Sequence, residues 1–513
     1  MSARFSQPET IPHMREALWD IESRMRSLAD QKYKLESRLA AAVALQTPIR
    51  RLPREVLASI FTVGVDRLDG EDPLFLTRVT LVCRDWRDTA LASPELWARI
   101  RIDHHGGLRR AQRRITLSKA VPLDIDIDFT HRDRGPNLSP DVVLVTVSRA
   151  LDLLRSETYR WRKFAFRVQH AAPAHAALAR CTERAPQLTH FALHVHLAFV
   201  DSLCTSPVNV LRPPRGSGRD TPPLLFGGYT PLLSTVELGS APLPSAPDAV
   251  GGILMRGLRS LRLNGNCGAA PPTVADLIQV LHACPALETL ALRNMEDVYA
   301  TSYFCSPGYD VDYPMHTAVP ISTATPSSAL LLMPRLRQLA MSFCGPTRAA
   351  GLLGQLALPA LERAEFAHMD NISGALKALK HSVSSLRTLR VENSLFDELR
   401  LMRLLRRLTK LSELELVECE DVSLNLLKGL SCPPSKGHEW ILPSLSTLSL
   451  DGCAGADWEP LRTLVEHRAQ TLDDVSPIYL LDVSRCPQMS RERVQWLRMY
   501  VRNVRSEASR SVW

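Results

Sequence analysis

A chain of 513 residues with 45% apolar content is long enough for two or three domains with cores of their own, which sets it apart from disordered or fibrous proteins. A formal charge of +8 is modest for this length and points only weakly to acidic partners. Eleven scattered cysteines, with no Cys-x-x-Cys pair and no histidine at zinc spacing, argue against a disulfide framework and a structural zinc site.

The polar start, Met1–Thr10, carries no secretory signal, and no apolar run approaches the ~18 residues of a membrane span. A reducing compartment, cytoplasmic or nuclear, is expected, with no membrane, metal or cofactor. Residues 1–46 read as an N-terminal helix. Apolar residues recur at Met14, Leu18, Ile21, Met25, Leu28, Leu35, Leu39 and Ala42, with Lys32 the one polar interruption. This heptad spacing fits a coiled coil and self-association through 14–42, or equally one amphipathic helix folded back on residues 47–102.

Residues 47–102 read as a small all-α domain. Pro53 suits a first helical position, and Val56, Leu57, Ile60 and Phe61 make a helical stripe. Val79, Val82, Cys83, Trp86 and Ala90 make the same stripe on a second short helix, after an acidic loop from Asp66 to Pro73. About fifty residues cannot readily bury that much apolar surface alone, so something else is expected to cover it.

The anchors of this stretch are Leu52-Pro53-Arg54-Glu55, Ile60-Phe61, Val82-Cys83-Arg84-Asp85-Trp86 and Pro94-Glu95-Leu96-Trp97. In order and type they resemble an F-box. The resemblance implies docking on a Skp-family adaptor and, through it, on a cullin-RING ubiquitin ligase. It also implies adaptor-binding roles for Leu52, Pro53, Glu55, Val56, Leu57, Ile60, Phe61, Val79, Val82, Cys83, Trp86, Leu96 and Trp97. The sequence leaves open which of these face the adaptor and which pack internally.

Residues 103–160 form a junction. Arg99, Arg101, Arg109, Arg110, Arg113, Arg114 and Lys119 cluster here without interleaved aromatics, as a solvated face rather than a nucleic-acid site. Leu123–Phe129 alternates apolar and acidic residues like a strand.

From 161 to 505 the chain repeats Leu-x-x-Leu-x-Leu. An opening Trp161-x-x-Phe164-x-Phe166 is followed by units beginning at Leu188, Leu233, Leu258, Leu287, Leu336, Leu361, Leu386, Leu411, Leu445 and Ile478. The step from 336 through 361 and 386 to 411 is 25 each time, a leucine-rich-repeat period. The ninth position is Cys344, Cys419, Cys453 or Cys486 in four units and Asn266 in another, which resembles the cysteine-containing repeat class often joined to an F-box. These thiols are read as buried spacers. Helical stretches at Thr273–Ala283, Ser373–Val383, Phe396–Leu408, Pro460–Ala469 and Arg491–Val504 lie between strands, the last as a terminal cap. The fold class is therefore α/β: a helix, a small all-α domain, then a solenoid with parallel strands on the concave face and helices on the convex face. Proline- and glycine-rich stretches near 206–247 and 301–328 read as loop insertions.

No catalytic constellation is present. His131-Arg132-Asp133 lacks the other kinase motifs, and there is no phosphate-binding Gly-rich loop, His-Glu-x-x-His or Gly-x-Ser-x-Gly. The expected role is a non-enzymatic substrate receptor of an SCF-type ubiquitin ligase, with the repeats holding a protein client; the alternative is a repeat scaffold with a degenerate F-box. Residues between the repeat leucines face outward. Glu365, Arg390, Glu413, Glu415, Asp451 and Asp482 are the candidate client-binding set, an acidic surface suited to a basic segment.

Overall fold

The structure, a computed structural model, describes residues 11–46, 49, 52–68, 74–103, 107–130, 139–195, 225–239, 255–265, 272–295, 330–379, 384–431, 440–470 and 475–506. The chain divides into two compact units: one runs to Trp97 and includes Leu117–Lys119, and the other is the remainder from Ala98.

In the first unit, helix α1 (Ile11–Gln46) has no glycine, and its one proline, Pro12, sits in the first turn, where a missing N–H costs nothing. It does not fold back on the other helices of this unit, because every side chain from Ile11 to Ala40 is exposed. Helix α2 (Arg54–Leu68) starts just after Pro53, whose carbonyl accepts from the Leu57 N–H at 3.1 Å. The second helical stripe is broken in two, a departure from the single helix expected: α3 (Phe75–Val82) and α4 (Arg84–Ala92) meet at Cys83. Cys83 is extended (φ −158°, ψ 172°), and its sulfur accepts from the Trp86 N–H at 3.5 Å, capping α4. A 3-10 turn over Pro94–Trp97 closes the unit.

In the second unit, alternation decides the faces. In Leu386-x-x-Leu389-x-Val391 the template residues are fully buried while Arg387 and Arg390 between them reach solvent, so each unit presents one apolar edge that only its neighbours can cover. The strands are β1 (Arg99–Ile102), β2 (Leu123–Asp128), β3 (Trp161–Val168), β4 (His190–Val195), β5 (Thr235–Gly239), β6 (Ser260–Asn264), β7 (Thr289–Met295) and β8 (Leu331–Leu332). They continue as β9 (Gln338–Cys344), β10 (Leu356–Ala357), β11 (Arg363–Ala367), β12 (Thr388–Glu392), β13 (Glu413–Val417), β14 (Thr447–Ser449), β15 (Leu480–Asp482) and β16 (Asn503–Arg505). Fourteen of them pair in chain order as one parallel sheet, while β8 and β10 form a separate two-stranded pair. Register holds template positions opposite one another: Ala364, Leu389 and Leu414 are aligned, as are Phe366, Val391 and Leu416. Helices such as Val274–His282 and Glu398–Leu405 return the chain between strands. Thr273 and Asp276 form a capping box on the first, and the Asp397 carboxylate accepts from Leu399 and Arg400 N–H groups on the second.

The sheet opens at Arg99, not at Trp161, and Leu123–Asp128 is its second strand. At the far end the last helix stops at Tyr500, and Val504 lies in β16, not in the capping helix the sequence suggests. The stretch near 206–247 includes β5, with a 3-10 turn at Leu225–Gly228 before it. Its proline-rich part, the stretch 301–328, Asn266 and His131-Arg132-Asp133 lie outside the described residues.

The eighth and ninth template positions work together. Asn294, Phe343, His368, Asn393, Glu418, Gly452 and Arg485 all sit at the eighth position with positive φ. This left-handed step, natural for glycine and tolerated by asparagine, turns the ninth residue inward. Four of those ninth residues are cysteines whose thiols donate to the sixth-position carbonyl of the preceding unit: Cys344 to Leu292 (3.6 Å), Cys419 to Val391 (3.4 Å), Cys453 to Leu416 (3.2 Å) and Cys486 to Leu450 (3.0 Å). Burial pushes the Cys419 thiol up to about 12 and those of Cys453 and Cys486 to about 11. At pH 8 these three are expected to resist iodoacetamide in the native chain and to label fully after denaturation, as peptide mass spectrometry would show. Leu389→Ala is expected to cost about 2–5 kcal/mol in a denaturant titration, whereas exposed Leu399→Ala changes stability by about 0.5 kcal/mol or less.

Candidate functional site

The helical unit sorts its apolar residues by helical phase. Leu57, Phe61 and Val65 point from α2 into a small core with Leu76, Val79, Ala90, Leu96 and Trp97. Trp86 packs on it, its ring centroid 5.0 Å from that of Phe61. The Trp97 indole N–H donates to the Ala90 carbonyl at 2.8 Å, and the Arg87 guanidinium donates to the Thr80 carbonyl at 3.0 Å. An Arg54–Asp85 ion pair (3.2 Å) links α2 to α4 on the surface.

Of the thirteen residues the F-box resemblance singles out, Leu57, Phe61, Val79, Leu96 and Trp97 are therefore buried scaffold. Cys83 and Trp86 are half-buried, and Leu52, Pro53, Glu55, Val56, Ile60 and Val82 are exposed. Val56, Ile60 and Val63, spaced four and three apart, form an outward apolar stripe on α2, exposed by 44%, 49% and 53%. Leu81 joins Val82 as an exposed residue at the end of α3. Val63 and Leu81 are absent from the motif, but Val63 is legible as the next residue on the face of Ile60.

On the exposed strand face of the second unit, register sets Glu365, Arg390 and Glu415 side by side. Arg390 pairs with Glu415 and, at 2.7 Å, with Glu392. Glu413 accepts from the Thr388 hydroxyl at 3.0 Å, Glu365 lies 4.0 Å from Arg363, and Asp482 accepts from the Ser484 N–H at 3.0 Å. Arg485 binds Asp451 through two nitrogens and also pairs with Glu418. This end thus holds seven carboxylates (Glu365, Glu392, Glu413, Glu415, Glu418, Asp451 and Asp482) against four guanidiniums, Arg363, Arg390, Arg485 and Arg505, the last set opposite Asp482 by register. The surface is acidic, but its acids are partly neutralised from within.

The first strands carry a second ionic lattice that the sequence does not reveal. Arg162 grips Asp124 with two bonds of 2.8 and 2.7 Å, and Arg167 bonds Asp126 at 2.6 Å. Burial raises Asp126 above its ordinary value despite Arg167. Glu237 lies 3.8 Å from His194 and 2.9 Å from Arg262. His194, against the opposing effect of burial, and then Arg262 hold its carboxyl down at about 2. Between the two lattices Ala291 and Ala340 leave the floor low. Of the basic cluster, Arg109, Arg110 and Arg113 are exposed on the helix Gly107–Leu117, and Arg114 donates to the Arg99 carbonyl. Among the described residues no cluster of His, Cys, Asp or Glu is arranged to hold a metal, and no helix is long and apolar enough to cross a membrane.

Because Glu237 has a depressed folded value, its stabilising contribution is complete above the ordinary carboxylate value of 4.5 and disappears as pH falls through about 2. Glu237→Gln is expected to flatten the fall in unfolding free energy across that window in acid titrations of denaturant melts.

A family model described as F-box-like matches residues 49–103. No curated protein matches the chain. Among solved structures, the complex of Rad7 and Elc1 in yeast contains a chain 13% identical, with 91% of this chain and 95% of that chain covered and a TM-score of 0.34. The TLR13–ssRNA13 complex contains one 10% identical, covering 70% of this chain and 44% of that chain, with a TM-score of 0.33. These likenesses are remote, and the architecture rests on the chain's own register and burial.

Proposed function

From an F-box-like domain followed by a leucine-rich-repeat-like parallel sheet, we propose that this chain is a substrate-recognition subunit of an SCF-type cullin-RING ubiquitin ligase. The observation that carries the reading is the F-box-like match over 49–103, in which the motif's buried residues build a small core and its other apolar residues face solvent. Leu52, Val56, Ile60 and Val63, with Leu81 and Val82, are the residues proposed to enter a Skp-family adaptor as helix-in-groove anchors. Covering half-exposed aliphatic side chains of this size contributes roughly 1 kcal/mol each. The chain itself performs no chemistry in this reading; it raises the local concentration of a client lysine near a charged ubiquitin carrier.

The client is proposed to meet the exposed strand face at its C-terminal half. The surplus of carboxylates over guanidiniums there, three, favours a basic segment, through long-range attraction rather than a dedicated ion pair, since Arg390 and Arg485 already occupy the nearest acids. Glu413, which faces Thr388 and, among the described residues, no arginine at ion-pair distance, is the acid best placed to engage such a segment.

The test is co-expression with a Skp-family adaptor and measurement of capture. Val56→Glu/Ile60→Glu is expected to weaken capture by at least about a hundredfold while circular dichroism stays unchanged, because both side chains lie outside the core. Trp86→Ala is a poorer probe, since it also removes packing on Phe61. Capture that survives the double substitution sinks the docking face. Capture without ubiquitination of any bound client in a reconstituted ligase favours the scaffold alternative.

A further inference from the structure

Helix α1 presents a physical problem that the adaptor reading does not touch. It runs 36 residues, and its apolar seam from Met14 to Ala42 is open to solvent along its described length, with Leu18 58% and Leu28 63% exposed. Most helical stability in proteins comes from packing an apolar face against something. Among the described residues nothing covers this one.

The seam specifies its own partner. Its spacing alternates four and three without a slip, and a strict seven-residue period is satisfied by another helix of the same period in a left-handed supercoil. A second copy of the chain offers that period, and two orientations are open to it. In a parallel pair each seam residue faces itself, which sets two Lys32 ammonium groups in one apolar layer. In an antiparallel pair centred between Met25 and Leu28, Leu18 faces Leu35, Met14 faces Leu39, and Lys32 faces Ile21 of the second copy. The flanking positions then complement: Arg15 comes opposite Glu36, and Lys32 comes beside Glu22, each twice by symmetry. In the isolated helix Lys32 lies 3.7 Å from Glu36 and Arg26 lies 3.7 Å from Glu22, so these charges are already held on the helix surface. We propose that α1 pairs with α1 of a second copy of this chain as an antiparallel two-stranded coiled coil, with Lys32 selecting against the parallel arrangement. The C-terminal ends of the paired helices, at Gln46, then lie about 60 Å apart.

Sedimentation of the full chain at micromolar concentration is expected to give twice 57.1 kDa. Met25→Glu/Leu28→Glu, which places charge in the central layers, is expected to raise the dimer dissociation constant by at least about a hundredfold. Orientation is read by cross-linking, since α1 has no cysteine of its own. Chains carrying Leu18→Cys mixed with chains carrying Leu35→Cys are expected to give an 18–35 disulfide on mild oxidation, identified by mass spectrometry. An 18–18 disulfide from the first variant alone would overturn the antiparallel arrangement. A monomeric wild type, or a trimer, overturns the proposal.

Discussion

The buried ladder of template residues in the second unit holds because parallel register keeps them opposite one another from strand to strand, the one shift between β2 and β3, at Leu123/Asp124, falling before Ile125 meets Phe164. Leu389 is fully buried between Ala364 and Leu414, which it meets at the same depth in adjacent strands. A shift of one residue in any strand would turn its leucines out and its Glu or Arg in. Several devices guard against that shift. Seven units share the left-handed eighth position, and in four of them the ninth-position thiol bonds a fixed carbonyl of the unit before. At the far end Arg468, fully buried and with no carboxylate partner among the described residues, donates to the carbonyls of Ile441 and Leu442 just ahead of β14, and burial lowers its pKa to about 10.

The repeats were legible because leucine at fixed spacing leaves little else to fold into. The first strands were harder to see for a reason visible in the residues. Trp97-x-x-Ile100-x-Ile102 and Pro122-x-x-Ile125-x-Ile127 follow the template, 25 residues apart and in register, but with tryptophan, proline and isoleucine where leucine is the cue. Trp97 also closes the helical motif, which hides that it begins a repeat. At the other end Val501 and Val504 continue the apolar spacing of the last helix, yet Val501 adopts an extended backbone and the chain pairs with β15. Spacing alone does not separate these outcomes.

The candidate sites divide in the same way. A motif names Leu57 and Ile60 together, and only helical phase separates the one that builds the core from the one that faces water. On the strand face the sequence supplies the acids but not their partners. Arg485 stands at a left-handed turn outside the strand alternation, and from there it reaches Asp451 and Glu418, 34 and 67 residues back.

From β9 through β11 and β12 to β13, a spacing of 25 residues between neighbouring strands also fixes how the sheet would yield to tension. Each strand is bonded to the one before it along a single edge, so a pull on the end of the chain peels one unit at a time. Each of these units would, on release, lengthen the chain by about 80 Å, the extended span of about 25 residues less one strand width. Such a stretch fails under load in regular increments, and the units still paired keep their register and their exposed face until their own turn comes.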